Sequence, residues 1–93
     1  MANFWIAQRH KIILYIEAML AKDSMSVPMR YIQFAINHNR QFLQADNIQY
    51  DRQELIEGCF LHCRYLFYSD ANDQAKMDSA AQRYNRWKKS MTG

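Results

Sequence analysis

Residues Asp51 to Phe67 read DRQELIEGCFLHCRYLF, and the assignment of this stretch decides the fold. Asp51 and Glu54 stand three apart, the pattern of a capping box: an acceptor at the N-cap and a carboxylate that reaches back to its N–H. Leu55, Ile56, Cys59, Phe60, Cys63, Leu66 and Phe67 follow at helical spacing and form one wide apolar face. A face that wide needs cover from more than one neighbour, so this helix is predicted to be the central one. Gly58 within it costs about 1 kcal/mol against alanine, a cost that close approach of a neighbouring helix would explain.

The same stretch contains CFLHC, two thiols and an imidazole at Cys59, His62 and Cys63. On a helix, positions i, i+3 and i+4 share a face, so the three side chains could converge on a metal ion. Structural zinc, however, takes four ligands and usually draws its cysteines from CxxC turns, whereas this spacing is CxxxC with no second pair. The other histidines, His10 and His38, belong to other predicted helices. A disulfide is disfavoured as well, because successive turns of a helix do not offer the required torsion near ±90°. Both cysteines follow the apolar periodicity, so they are read as core thiols and no metal or cofactor is assigned. His62 is then expected at the edge of the core.

Working outward, Phe4 to Lys22 carries Trp5, Ile12, Ile13, Ile16, Met19 and Leu20 at helical spacing. Asp23 to Ser26 marks its end, with serines able to cap a second helix and Pro28 just inside it. That second helix, Val27 to about Ala45, has Met29, Ile32, Ile36 and Leu43 as its stripe, flanked by Tyr31, Phe34 and Phe42. Asn37-His38-Asn39-Arg40-Gln41 interrupts the stripe and reads either as a bend or end of the helix or as a solvated patch on a continuous one. Asp46 to Tyr50 is the next loop and Ser69 to Asp73 the one after. The last helix, Asp73 to Met91, presents a narrow seam of Met77, Ala80, Tyr84, Trp87 and Met91 in steps of three and four. These segments predict an all-α fold: a single domain over residues 1–93, a compact bundle of four helices with short connections.

Bulk properties agree. The chain has 93 residues, 49% hydrophobic and 23% charged, which is globular composition, and its two Gly and one Pro are too few for the hairpins of an all-β fold. No stretch approaches the roughly 18 apolar residues of a membrane span. Met1 to Ala7 lacks a cationic leader segment, and two cysteines fit a reducing compartment, so a cytoplasmic protein without a membrane partner is expected.

For function, the sequence holds no local nucleophile, base and orienting group, and no Gly-rich phosphate cradle, so no catalytic residue is assigned and no enzyme is expected. Asp51, Asp70 and Asp73 are read as helix caps. Five Phe, six Tyr, two Trp and six Met exceed what one small core easily encloses. Surface aromatics with Arg mark protein interfaces, which points to a small adaptor or inhibitor that binds a protein or nucleoprotein, or a second copy of itself as a homodimer. Its expected contact residues, chosen for lying off the stripes, are Tyr31, His38, Arg40, Tyr50, Tyr65 and Tyr68.

A different class of partner, nucleic acid, would use Arg83, Arg86, Lys88 and Lys89, with Tyr84 and Trp87 interleaved. The net charge of only +3 and the favourable position of cations at a helix C-terminus argue against that class. Asn37 to Gln41 carries side chains that read base edges, but the flanking segments are too long for a helix-turn-helix unit.

Overall fold

In the computed structural model, which describes residues 2–93 with burial defined from residue 4, the chain forms four helices. They are α1 (Ala2–Lys22), α2 (Met29–Ala45), α3 (Arg52–Asp70) and α4 (Gln74–Thr92). Met1, part of the N-terminal segment expected to lack a leader, lies outside the described residues. No described helix is long and apolar enough to cross a membrane.

The capping box at the start of α3 is present in both directions. Asp51 Oδ1 accepts from the Glu54 N–H at 2.8 Å, and Glu54 Oε1 accepts from the Asp51 N–H at 2.9 Å. Asp73 caps α4 through the Lys76 N–H. Asp70 departs from expectation: it is the last residue of α3 and accepts a hydrogen bond from the Tyr31 hydroxyl. The start of α2 also differs, since Pro28 is itself the N-cap and neither serine caps the helix.

With so few glycines, the chain ends its helices by another device. Ser24, Asn47 and Asn72 adopt left-handed backbone with φ of 57°, 54° and 54°. Each closes a Schellman turn. After α1, the Met25 N–H reaches the Leu20 carbonyl and the Ser24 N–H that of Ala21; Ile48 with Leu43 and Asp73 with Tyr68 repeat the wider bond. Leu20 and Met25 are both buried, supplying the apolar contact that accompanies this turn.

Helix α3 packs against each of the other three, whereas the backbones of α1 and α4 do not meet. Side-chain pairs fix the directions. Arg52 with Gln8 and Arg64 with Asp23 set α1 parallel to α3, while Tyr31 with Asp70 and Asn39 with His62 set α2 antiparallel. The shortest dimension, 18 Å, holds only about two layers at the usual 8–10 Å helix spacing. Side chains of α2 therefore reach across to α4, and the core between these layers contains Ile16, Leu20, Ile32, Ile36, Leu43, Leu55, Ile56, Cys59 and Cys63.

Gly58 explains how α4 comes so near. The Trp87 indole lies directly over it, and a Cβ at this position would stand 2.3 Å from the ring. Gly58→Ala should therefore destabilise the fold by about 1–2 kcal/mol, because overpacking outweighs the gain in helix propensity. Ser24→Gly should act oppositely, adding about 1 kcal/mol by relieving a left-handed residue with a side chain. Denaturant midpoints at constant m-value check both, and a neutral Gly58→Ala would contradict the close packing of Trp87 on α3.

Candidate functional site

The stripe of α2 has no gap. Ile32, Ala35, Ile36, Asn39 and Leu43 are all buried, and the helix runs unbroken through the polar run. Asn39, expected to lie where the stripe fails, is fully buried and occupies a stripe position. His62, expected at the core edge, is buried too. These two side chains and Tyr84 form one hydrogen-bonded and stacked group, so polar groups can sit where α2, α3 and α4 meet.

The hydrogen bonds assign the protons. Asn39 Nδ2 lies 2.7 Å from the Ala35 carbonyl oxygen, which only accepts, so this atom is the amide nitrogen. The same nitrogen lies 3.1 Å from His62 Nδ1, which must therefore accept, leaving the ring proton on Nε2. Asn39 Oδ1 accepts from the Tyr84 hydroxyl, and the Tyr84 ring stacks on His62 with centroids 4.6 Å apart. The carboxamide thus holds three partners on three helices.

The thiols lie beside this network. Cys59 and Cys63 have no exposed surface, and Cys59 directs its sulfur toward the Ala35 carbonyl at 3.6 Å. Burial pushes Cys59 far above the ordinary thiol range and Cys63 up to about 12. Burial likewise raises Tyr84 to about 12 and, helped by His38 and Lys88, lowers His62 to about 4. Every titratable member is therefore neutral at pH 7. Among the described residues no group of three or more His, Cys, Asp or Glu side chains is disposed to hold a metal ion.

Above this floor the rings continue outward. His38 stands 5.3 Å from His62 and 5.6 Å from Phe34, on which it stacks, and Phe34 leaves 53% of its surface exposed. Beside them His62, Tyr65, Ala81, Tyr84 and Asn85 line a groove, with the Lys88 ammonium over the Tyr84 ring at 4.8 Å. This aromatic shelf between α2 and α4 is the candidate site.

Of the six contact residues chosen from sequence, the shelf brings together His38 and Tyr65. Arg40 and Tyr50 lie elsewhere, around Trp5: the Arg40 guanidinium sits 3.6 Å from the Trp5 ring centroid, and Tyr50 shares a groove with Phe4 and Trp5. Tyr31 and Tyr68 stand toward the C-terminal end of α3, the first bonded to Asp70 and the second flanked by Arg64 and Lys76. Phe34 flanks the apolar stripe of α2 and is not among the contact residues expected from sequence, although its offset of two from Ile32 and Ile36 sets it on the outer side of the helix.

The C-terminal cations have different surroundings. Arg83 and Arg86 share a groove with Glu54 and Glu57, Lys88 covers Tyr84, and Lys89 is exposed near the end of α4. Tyr84 and Trp87 are buried, so neither ring is free to stack on a base. Compared with models of known protein families, with curated proteins and with solved structures, the chain finds no match.

The depressed His62 sets a pH dependence. As pH falls below 6.5 the unfolded chain protonates this imidazole first, while the folded one resists until about pH 4. Stability from this site is complete above the unfolded value and lost on acidification, about 3 kcal/mol in all. Denaturation at pH 7.5, 6 and 5 should show a decline that flattens in His62→Gln; equal slopes would contradict the assignment. Both thiols should react with a disulfide reagent only at the rate of global unfolding, whereas fast labelling of native protein would place them at the surface.

Proposed function

We propose that the protein is a non-catalytic binding protein that acts by occupying a surface of a larger macromolecular partner, a protein or nucleoprotein, as a small adaptor or inhibitor would. The observation that carries this reading is the half-exposed Phe34 ring stacked on exposed His38, beside the groove that Tyr65 lines. A large ring on the solvent side of a helix adds little to this core, but it adds binding energy when a partner covers it. The shelf beneath is preformed: Asn39, His62 and Tyr84 hold one another across three helices, so little ordering cost remains at binding.

The buried groups support the non-catalytic half of the proposal. His62 accepts a hydrogen bond at Nδ1 and its affinity for a proton is depressed, so near neutral pH it is a weak base already committed to Asn39. Recognition would then be made by rings and neutral polar groups, which gives binding that depends weakly on salt.

The test is affinity capture from native cells with identification of the retained macromolecule. Wild type and the triple variant Phe34→Ala/His38→Ala/Tyr65→Ala are compared, with helix content matched by circular dichroism. Loss of affinity of tenfold or more in the triple variant, with little change between 50 and 300 mM salt, is the expected outcome. Equal affinity in the triple variant would remove the shelf from the interface, and a steep log-linear salt dependence would favour a phosphate-bearing partner.

A further inference from the structure

Helix α1 has a second stripe that its own fold leaves uncovered. Phe4, Ala7, Lys11, Leu14, Ala18 and Ala21 succeed one another in steps of three, four, three, four and three, the spacing of a coiled-coil seam. All six are exposed, Phe4 to 69% and Leu14 to 53%, while the opposite stripe of Ile12, Ile16 and Leu20 is buried. An open groove bordered by Lys11, Leu14, Tyr15, Ala18 and Arg52 runs along this side. The helix is thus apolar on two opposed faces, and only one of them meets the core.

We infer that the outward stripe is the interface of a homodimer in which α1 packs antiparallel against α1 of a second copy. The residues select this occupant because the stripe is complementary to itself when reversed. With the two-fold axis between Lys11 and Leu14, Phe4 faces the second copy's Ala21, Ala7 faces its Ala18, and Lys11 faces its Leu14. Phe4 meets a small residue, Ala7 against Ala18 lets the two backbones approach closely, and the Lys11 methylene stem covers leucine while its ammonium reaches water. Parallel pairing would instead set Lys11 against its own copy in the seam.

The flanks agree with the same register. His10 and Glu17 border the stripe on one side, and reversal places each imidazole beside the second copy's carboxylate, two such pairs per dimer. On the other side Gln8 comes level with the second copy's Tyr15, a ring 51% exposed in the single chain. Both contacts repeat by symmetry, as an isologous interface demands.

The area is sufficient for a reversible dimer. Phe4 and Ala21 stand about 26 Å apart along the axis, and a helix seam of that length with two rings covers roughly 600 Å² per copy, near the lower bound for specific association. At this lower bound of size the expected dissociation constant is on the order of micromolar. The shelf near Phe34 is on another helix, so dimerisation neither requires nor blocks binding of the macromolecular partner.

The experiment is sedimentation equilibrium of the full chain from about 1 to 300 µM. Wild type should pass from 11.2 kDa to twice that mass over this range. Leu14→Glu should raise the dissociation constant at least tenfold with helix content unchanged. Glu17→Lys should weaken the dimer severalfold, and adding His10→Glu should restore it, which only the reversed register predicts. A wild type that stays monomeric throughout, a dimer indifferent to Leu14→Glu, or a swap that restores nothing would overturn the inference. Binding of monomeric wild type to anionic vesicles would do so too, by assigning the stripe to a lipid surface.

Discussion

One carboxamide, that of Asn39, lies where three helices converge and satisfies a backbone carbonyl, an imidazole and a phenol at once. Burying any of these polar groups without a partner would cost about 1–3 kcal/mol, so the three contacts are interdependent. They also fix position. A sheet of apolar side chains would let α2 slide along α3 by a turn, whereas this amide meets His62 Nδ1 and the Tyr84 hydroxyl in a single register. The contact is one way that a thin molecule, two helices deep, can define a unique arrangement with a modest core.

The consequences run outward from that point. Stacking of Tyr84 on His62 places Trp87 over Gly58, since the two rings of α4 lie parallel with centroids 6.0 Å apart. On the other side, His62 supports His38, which supports Phe34. A continuous series of rings therefore joins the buried network to the solvent. The thiols of Cys59 and Cys63 fill the remaining space as small apolar groups, and burial holds both in the protonated form at neutral pH.

Much of this architecture could be read in the amino-acid sequence. The capping box of Asp51 and Glu54, the three-four seam of α4 and the wide face of α3 each rest on local rules, and each holds. The burial of Asn39 is not legible, because a polar side chain on an apolar stripe looks like an interruption, although its distances of seven from Ile32 and three from Ile36 keep the period. Its partners, twenty-three and forty-five residues away, leave no local trace. The helix boundaries near Ser24, Asn47 and Asn72 are legible in the sequence, but without glycine as a cue the left-handed residue in each is not. The shelf was half legible: His38 and Tyr65 stand out by side-chain type, while Arg40, Tyr50, Tyr31 and Tyr68 share that type and lie elsewhere because burial and helix direction separate them.

The most direct test of the role given to Asn39 is a double-mutant cycle between Asn39→Leu and Tyr84→Phe, measured by denaturant unfolding at pH 7. If the carboxamide unites the helices, the two losses should fail to add by about 1 kcal/mol or more, because either change alone strands a buried partner. Losses that add within about 0.3 kcal/mol would mean that amide and phenol act independently, and the convergence at Asn39 would not be what holds α2 and α4 together.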